Sequence, residues 1–231
     1  YEKYDKIIGV SENVVACFKK NMTDRIPSQV LYNTNETVLI KELSQEAIDI
    51  EFNKNVINIC SVAKIVKTKG FDRLLIAHRK LLDEGFPHCI NILGVGEEST
   101  NLERKIKELK VQNSFKLLGF HKNPYKYMSK CDLYVCSSHV EGFSTAVSEA
   151  LILGIPVVST NCSGAYELLG RHNDYGIVTE NSTEALYDGI KEMLGDPDKL
   201  LFYKQQAAIR GGFFSKENTV EAVEKLLDEL Q

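Results

Sequence analysis

Two glutamates, Glu141 and Glu149, flank the start of an almost wholly apolar helical stretch, "FSTAVSEALILG". A carboxylate among Ala146, Val147, Ala150, Leu151 and Leu153 is costly to bury unless something hydrogen-bonds to it. One partner that fits is a pair of vicinal hydroxyls, on a ribose or a sugar, since a carboxylate accepts from both at once. The plainer alternative is that each glutamate pairs with a lysine or caps a neighbouring helix. Gly142 permits an unusual loop, and the amides near Ser144, Thr145 and Ala146 open a helix, a ready site for an anion such as a diphosphate. Upstream, "AKIVKTKG" sets Lys64 and Lys69 at a strand end, from which both can reach one anion. A solvated basic loop is the bland reading of that segment.

Other motifs point less sharply. "ILGVGEES" carries Gly94 and Gly96, but Ser99 stands where a dinucleotide fingerprint needs its third glycine. No acidic residue closes the next strand, "FKLLGF", so the fingerprint is not met. The two glycines instead let backbone approach a ligand or make a tight turn. In "NCSGAYELL", Asn161, Ser163 and Gly164 read as helix capping. His78 falls in the core stripe of a helix, and His121 and His139 lie at strand ends. No Ser–His–Asp or Cys–His set is visible, and no cluster of acidic residues suggests a metal.

These residues need a frame. From Val56 onward, β-rich apolar runs alternate with amphipathic helical segments: "VINICSVAKI", "GFDRLLIAHRKLLDEG", "HCINILGVG", "NLERKIKELKV", "FKLLGF", "DLYVCSS", "PVVST", "YGIVT" and "STEALYDGIKEMLG". That spacing predicts βαβ units in a parallel sheet covered by helices on both faces. Such sheets bind ligands at the carboxyl ends of their strands, and Lys64, Lys69, Gly94, Gly96, Gly119, Glu141 and Asn161 all follow predicted strands. Before this region lie a strand–helix–strand pattern ("YDKIIGVSENVVACFKK…SQVLYN") and the polar, irregular stretch "TNETVLIKELSQEAIDIEFNKN", with a patchy helix and the composition of a linker. The expected division is residues 1–52 as an acceptor-side remnant with linker, 53–196 as a Rossmann-like domain, and 197–231 as C-terminal helices.

The bulk numbers exclude several classes. With 231 residues, 43% hydrophobic and 26% charged, the chain has the composition of an ordinary globule, and a net charge of −4 gives no reason to expect nucleic acid. Six cysteines are scattered without a CxxC pair and read as buried thiols of a reducing compartment. No apolar run reaches the roughly 18 residues of a membrane span, and no secretory signal pattern is visible. The chain opens at Tyr1 in a strand pattern, which reads as part of a longer protein.

Taken in order, "SVAKIVKTKGFDRLL", "ILGVGEES", "FKLLGFHKNPYKY", "CDLYVCSS" and "EGFSTAVSEALILGIPVVST" resemble the donor half of retaining GT-B glycosyltransferases of family four. The last segment is similar to that family's E-x7-E signature. The resemblance runs from about Asn58 to Asn218 and implies roles. Lys69 matches the lysine on the donor diphosphate. Lys64 stands where the family has arginine, and Ala63 where it has glycine. Glu149 matches the glutamate on the nucleotide ribose, and Glu141 the one facing the transferred sugar. Phe143, Ser144, Thr145 and Ala146 would present backbone to sugar and phosphate, while Gly94, Gly96 and the segment around Leu118 would line the donor. The implied donor is a nucleotide sugar, UDP-linked in preference to GDP-linked, with no metal needed. A glycan or lipid-linked acceptor would be held by a further domain that usually precedes this one, so this chain is expected to bind nucleotide but transfer little alone. The implied location is cytoplasmic, with peripheral membrane association of the full-length protein left open. A nucleotide-sugar epimerase, a phosphorylase (for which no pyridoxal lysine stands out) and a non-catalytic nucleotide-sugar-binding module remain as alternatives.

Overall fold

The computed structural model describes residues 4–33 and 35–229. Strand β1 (Ile7–Gly9), helix α1 (Glu12–Asn21) and strand β2 (Ser28–Val30) make a small parallel two-stranded sheet with its helix. Ser11 caps α1 by accepting from the Val14 amide. The polar stretch that composition assigned to a linker contains α2 (Thr37–Ser44), with Ile40 buried and Asn123 donating to the Leu43 carbonyl. Ile40 and Phe52, with Ile48 and Ile50 packed beside them, anchor to the core a segment whose average composition is polar.

From Ile57 the chain alternates as predicted. Strands β3 (Ile57–Val62), β4 (His88–Leu93), β5 (Phe115–Gly119), β6 (Leu133–Cys136), β7 (Val157–Thr160) and β8 (Ile177–Thr179) form one sheet in the order β5-β4-β3-β6-β7-β8, every pair parallel. Helices α3 (Phe71–Asp83), α4 (Ser99–Glu108) and α8 (Thr183–Gly195) cover one face. Helices α5 (Tyr125–Met128), α6 (Thr145–Ile152), α7 (Ala165–Leu169) and α9 (Pro197–Gly211) lie on the other. The chain closes with α10 (Lys216–Asp228).

The strands read as continuous apolar runs because alternate residues bury on opposite faces. Ile59 and Val158 enter the core under α3 and α8, while Cys60 and Val157 enter the core under α6. In α3, Leu74, Leu75, Ala77, His78 and Leu81 are buried, and truncating a leucine there should cost about 2–5 kcal/mol. The cysteine reading holds for four of six: Cys60, Cys89, Cys131 and Cys136 are buried, whereas Cys17 is exposed and Cys162 partly so. Cys17 lies on the outer face of a surface helix, where spacing alone did not separate it from the core thiols.

Candidate functional site

The strand order reverses between β3 and β6, and the carboxyl ends of those two strands define a crevice. The loop after β3 carries Lys64 and Lys69, and the loop after β6 carries Glu141. Gly70 joins them: its φ of 63° suits glycine, and a Cβ there would sit 2.1 Å from the Ser137 carbonyl oxygen. Ser137 Oγ donates to the Lys69 carbonyl at 2.8 Å, and the His139 amide donates to the Thr68 carbonyl at 2.7 Å. Two loops distant in sequence are thus bolted together.

Within this frame Lys69 Nζ donates to Glu141 Oε1 at 2.5 Å, and Ser138 Oγ donates to the same oxygen at 2.8 Å. The lysine-pairing alternative for Glu141 is therefore realised. Lys64 is exposed at the rim. A cavity of about 320 Å³ is lined by Lys64, Lys69, Glu141, Phe143, Ser144, Thr145 and Ala146, among others.

Helix α6 opens into this cavity. Ser11, Ser182, Asp196 and Ser215 each cap their own helix with a side-chain oxygen. Ser144, although a serine at an N-cap, makes no such bond. The first-turn amides of α6 keep their donors and the positive end of the helix dipole for whatever occupies the cavity. Phe143 is buried and stacked on Tyr32 at 5.1 Å between ring centroids, which anchors the loop at the edge of the cavity it helps to line.

Glu149 lies one turn further along α6 and accepts from the Tyr125 hydroxyl at 2.9 Å. Burial raises its pKa, and the Tyr125 hydrogen bond opposes that rise. Burial and the adjacent Glu149 carboxylate in turn raise the pKa of Tyr125. Glu149 is not among the residues lining the cavity that holds Lys69 and Glu141.

Gly94, Gly96 and Leu118 also lie outside that lining. A Cβ on Gly94 would fall 2.0 Å from the Ala63 carbonyl oxygen, and one on Gly96 would fall 2.1 Å from that of Ile65. These glycines let the loop after β4 run against the lysine loop, where the Ile65 amide donates to the Val95 carbonyl at 3.0 Å. The close approach is to the protein's own backbone. Leu118 is half-buried and packs on the core beneath α6.

The capping expectation for Asn161 and Ser163 is not met: α7 has no side-chain cap, and Gly164 at φ 80° begins it. Glycine is required there because a Cβ would press on the Phe143 ring at 3.1 Å. His78 is structural, bonded to His88 and Ser114 in the core. His121 bonds the Leu118 carbonyl. Among the described residues no group of three or more His, Cys, Asp or Glu could hold a metal ion, and no helix is long and apolar enough to cross a membrane.

With two lysines, a carboxylate and an open helix terminus around one crevice, comparison with known proteins is decisive. The family glycosyl transferases group 1 matches residues 44–210. The chain belongs to that family. A Campylobacter jejuni N-acetylgalactosamine-N,N'-diacetylbacillosaminyl-diphospho-undecaprenol 4-alpha-N-acetylgalactosaminyltransferase is 34% identical over 219 residues, covering 94% of this chain and 58% of that protein. An uncharacterized glycosyltransferase of Methanocaldococcus jannaschii is 31% identical over 224 residues, covering 87% of this chain and 54% of its own length. In fold, Anabaena Alr3699/HepE, solved in complex with UDP, superposes with a TM-score of 0.83 at 22% identity, over 97% of this chain and 64% of that one. The chain thus spans between about half and two-thirds of the length of these proteins. The six-stranded parallel sheet with helices on both faces is that of GT-B glycosyltransferases.

Two residues that hold the candidate side chains escaped the sequence reading. Tyr125 sits in a four-residue helix that the sequence places near Pro124 to Lys130, but nothing in its spacing marks the contact with Glu149. Arg73 is buried in α3. It shares a helical face with Ala77 and Leu81, both apolar at i+4 and i+8, and that spacing was the available clue.

Proposed function

We propose that this chain is the nucleotide-sugar-binding portion of a glycosyltransferase, with a UDP-sugar favoured over a GDP-sugar as donor, and that the full-length enzyme transfers the sugar with retention of configuration. The convergence of Lys64, Lys69 and the uncapped amides of α6 on one cavity carries the reading, because a diphosphate needs that kind of cradle. As the bond between the anomeric carbon and the diphosphate oxygen breaks, both lysines and the amides take up the charge of the leaving group without a metal. The acceptor hydroxyl forms the new bond and releases its proton.

In this reading a bound donor separates Lys69 from Glu141. The lysine turns to the diphosphate and the carboxylate to the hydroxyls of the transferred sugar. Glu149 takes the ribose, whose hydroxyls supply the donors its burial calls for. Gly94, Gly96 and Leu118 frame the base side of the cleft. Residues 53–196 form the donor domain, with 1–52 and 197–231 linking it to the acceptor side. The Campylobacter relative acts, by its name, on a lipid-linked diphospho-undecaprenol glycan, which supports N-acetylhexosaminyl transfer to a lipid-linked or polysaccharide acceptor at the cytoplasmic side of a membrane. Acceptor recognition falls to sequence that the longer relatives carry outside the shared stretch.

Calorimetric titration with UDP, GDP and ADP and their sugars tests the reading, with Lys69→Ala and Glu149→Ala as controls. The expected result is UDP binding that both substitutions weaken. Absence of any nucleotide binding at millimolar concentration, or undiminished binding by both variants, would overturn it. Conversion of a UDP-sugar without acceptor would instead favour the epimerase alternative.

A further inference from the structure

Arg73 is 3% exposed, and none of the ion pairs among the described residues includes it. All of its bonds go to neutral oxygens. Nε donates to the Ser137 carbonyl at 2.7 Å, Nη2 donates to the Ser138 carbonyl, and Nη1 donates to Asn181 Oδ1 at 2.7 Å. Thr160 Oγ1 lies at 3.5 Å from Nη2 and itself donates to the Ser138 carbonyl at 2.7 Å. Asn181 turns its amide to the His139 carbonyl at 2.9 Å and to that of Asn161 at 3.2 Å.

Three consecutive carbonyls, those of Ser137, Ser138 and His139, are therefore held by Arg73 or by Asn181, the residue it orients. They lie two to four residues before Glu141, and Ser138 also donates its hydroxyl to that carboxylate. Burial lowers the pKa of the guanidinium, and the neighbouring Asp72 is the main charge that supports it. Neutral donors could hold carbonyls at less desolvation cost than a buried cation. A positive charge behind an anion site, by contrast, gains whenever an anion arrives.

We propose that Arg73 is a positioning residue of the donor site: its fork fixes loop 137–141 against Lys69, and its charge, engaged in no ion pair, lies behind the loop that lines the proposed diphosphate site. This rests on the donor reading above. The proposal separates the fork from the charge, which Arg73→Met and Arg73→Lys distinguish.

The test measures hydrogen exchange and calorimetric affinity for UDP and UDP-glucose on the whole chain. For Arg73→Met, peptides covering 137–141 should exchange about tenfold faster or more while β4 and α8 keep their protection, and UDP should bind about tenfold more weakly. UDP-glucose should lose more than UDP, because Glu141 is no longer fixed. Arg73→Lys should recover most of the UDP affinity but not the loop protection. An Arg73→Met chain whose melting temperature falls while loop exchange and the UDP-glucose to UDP ratio stay as in wild type overturns the proposal. If Arg73→Met does not fold, Arg73→Lys decides: faster loop exchange supports the proposal, and unchanged exchange overturns it. A wild-type chain that binds no nucleotide removes the donor reading and this proposal with it. Wild-type binding beside an indifferent Arg73→Met removes the proposal alone.

Discussion

Buried polar groups gather in two places, and they are used in opposite ways. Under α3, His78 Nδ1 meets His88 Nε2 at 2.8 Å, His78 Nε2 meets Ser114 Oγ at 2.9 Å, and His88 Nδ1 meets the Phe86 carbonyl at 2.8 Å. Every ring nitrogen has a partner, so the cluster is closed. At the carboxyl ends of β3 and β6 the inventory is open: Lys64 is free at the rim, Ser144 leaves its helix uncapped, and Glu149 has one tyrosine donor for two oxygens. A closed polar cluster contributes to one fold. An open one, held rigid by its surroundings, has capacity left for a ligand. The contrast makes the histidine cluster a stability element and the crevice the candidate site.

The largest expected effect breaks the closed cluster with protons. Burial holds His78 down at about 3 and also lowers His88, so the unfolded chain takes up protons that the fold refuses. Stability from these groups is complete above the unfolded value near 6.5 and is lost as pH falls from there towards about 3. The slope from His78 is about 1.4 kcal/mol per pH unit, and His88 adds to it in the same direction. Urea melts between pH 7 and pH 4 should show it, and His78→Gln should flatten it. A slope that persists unchanged in His78→Gln would remove the histidines from the account.

Next comes the open site. Lys69→Ala should weaken UDP binding about tenfold to a hundredfold, the range of a charge-assisted hydrogen bond, with little change in melting temperature. Loss of fold without loss of affinity would reverse the contrast, making the Lys69–Glu141 pair structural. Glu149→Gln sharpens it further. Burial favours the protonated carboxyl, so ionisation above about pH 4.5 costs the folded state. The glutamine variant should therefore melt higher than wild type at pH 7, with the gap closing as pH approaches 4.5, while binding UDP more weakly. A residue that gains stability when replaced yet loses ligand is one the fold keeps at a cost. The smallest effect is Arg104→Ala. Its ion pair with Glu108 is largely solvated, so stability should stay within about 0.5 kcal/mol and UDP affinity should not move.

Much of the fold was readable because period and burial agree. The strands from β3 to β8 are continuous apolar runs, and α3 and α8 carry clean apolar stripes ended by glycine. α2 was readable only as a patchy helix in a linker-like stretch, since its one buried isoleucine leaves little period from which to set bounds. Within the site, the types of Lys64, Lys69, Glu141 and Glu149 announced anion and hydroxyl chemistry. Their spacing along the chain did not reveal that Lys69 would meet Glu141 or that Glu149 would meet Tyr125. Nor did it tell that Ser144 would decline to cap while Ser182, in a similar position, does. Gly94 and Gly96 read as room for a ligand or a tight turn, and the sequence did not tell that a Cβ on either would meet the backbone of the lysine loop.

Local rules act over a few residues, and they settled the helices, the strands and the residue types at the strand ends. Strand order is decided by which apolar faces pack together over the whole chain. That choice put β6 beside β3, brought residues 69 and 141 into contact, and pulled Arg73 beneath the loop that joins them. Such contacts depend on the energy of a closed core shared by all its members, which no window of sequence contains.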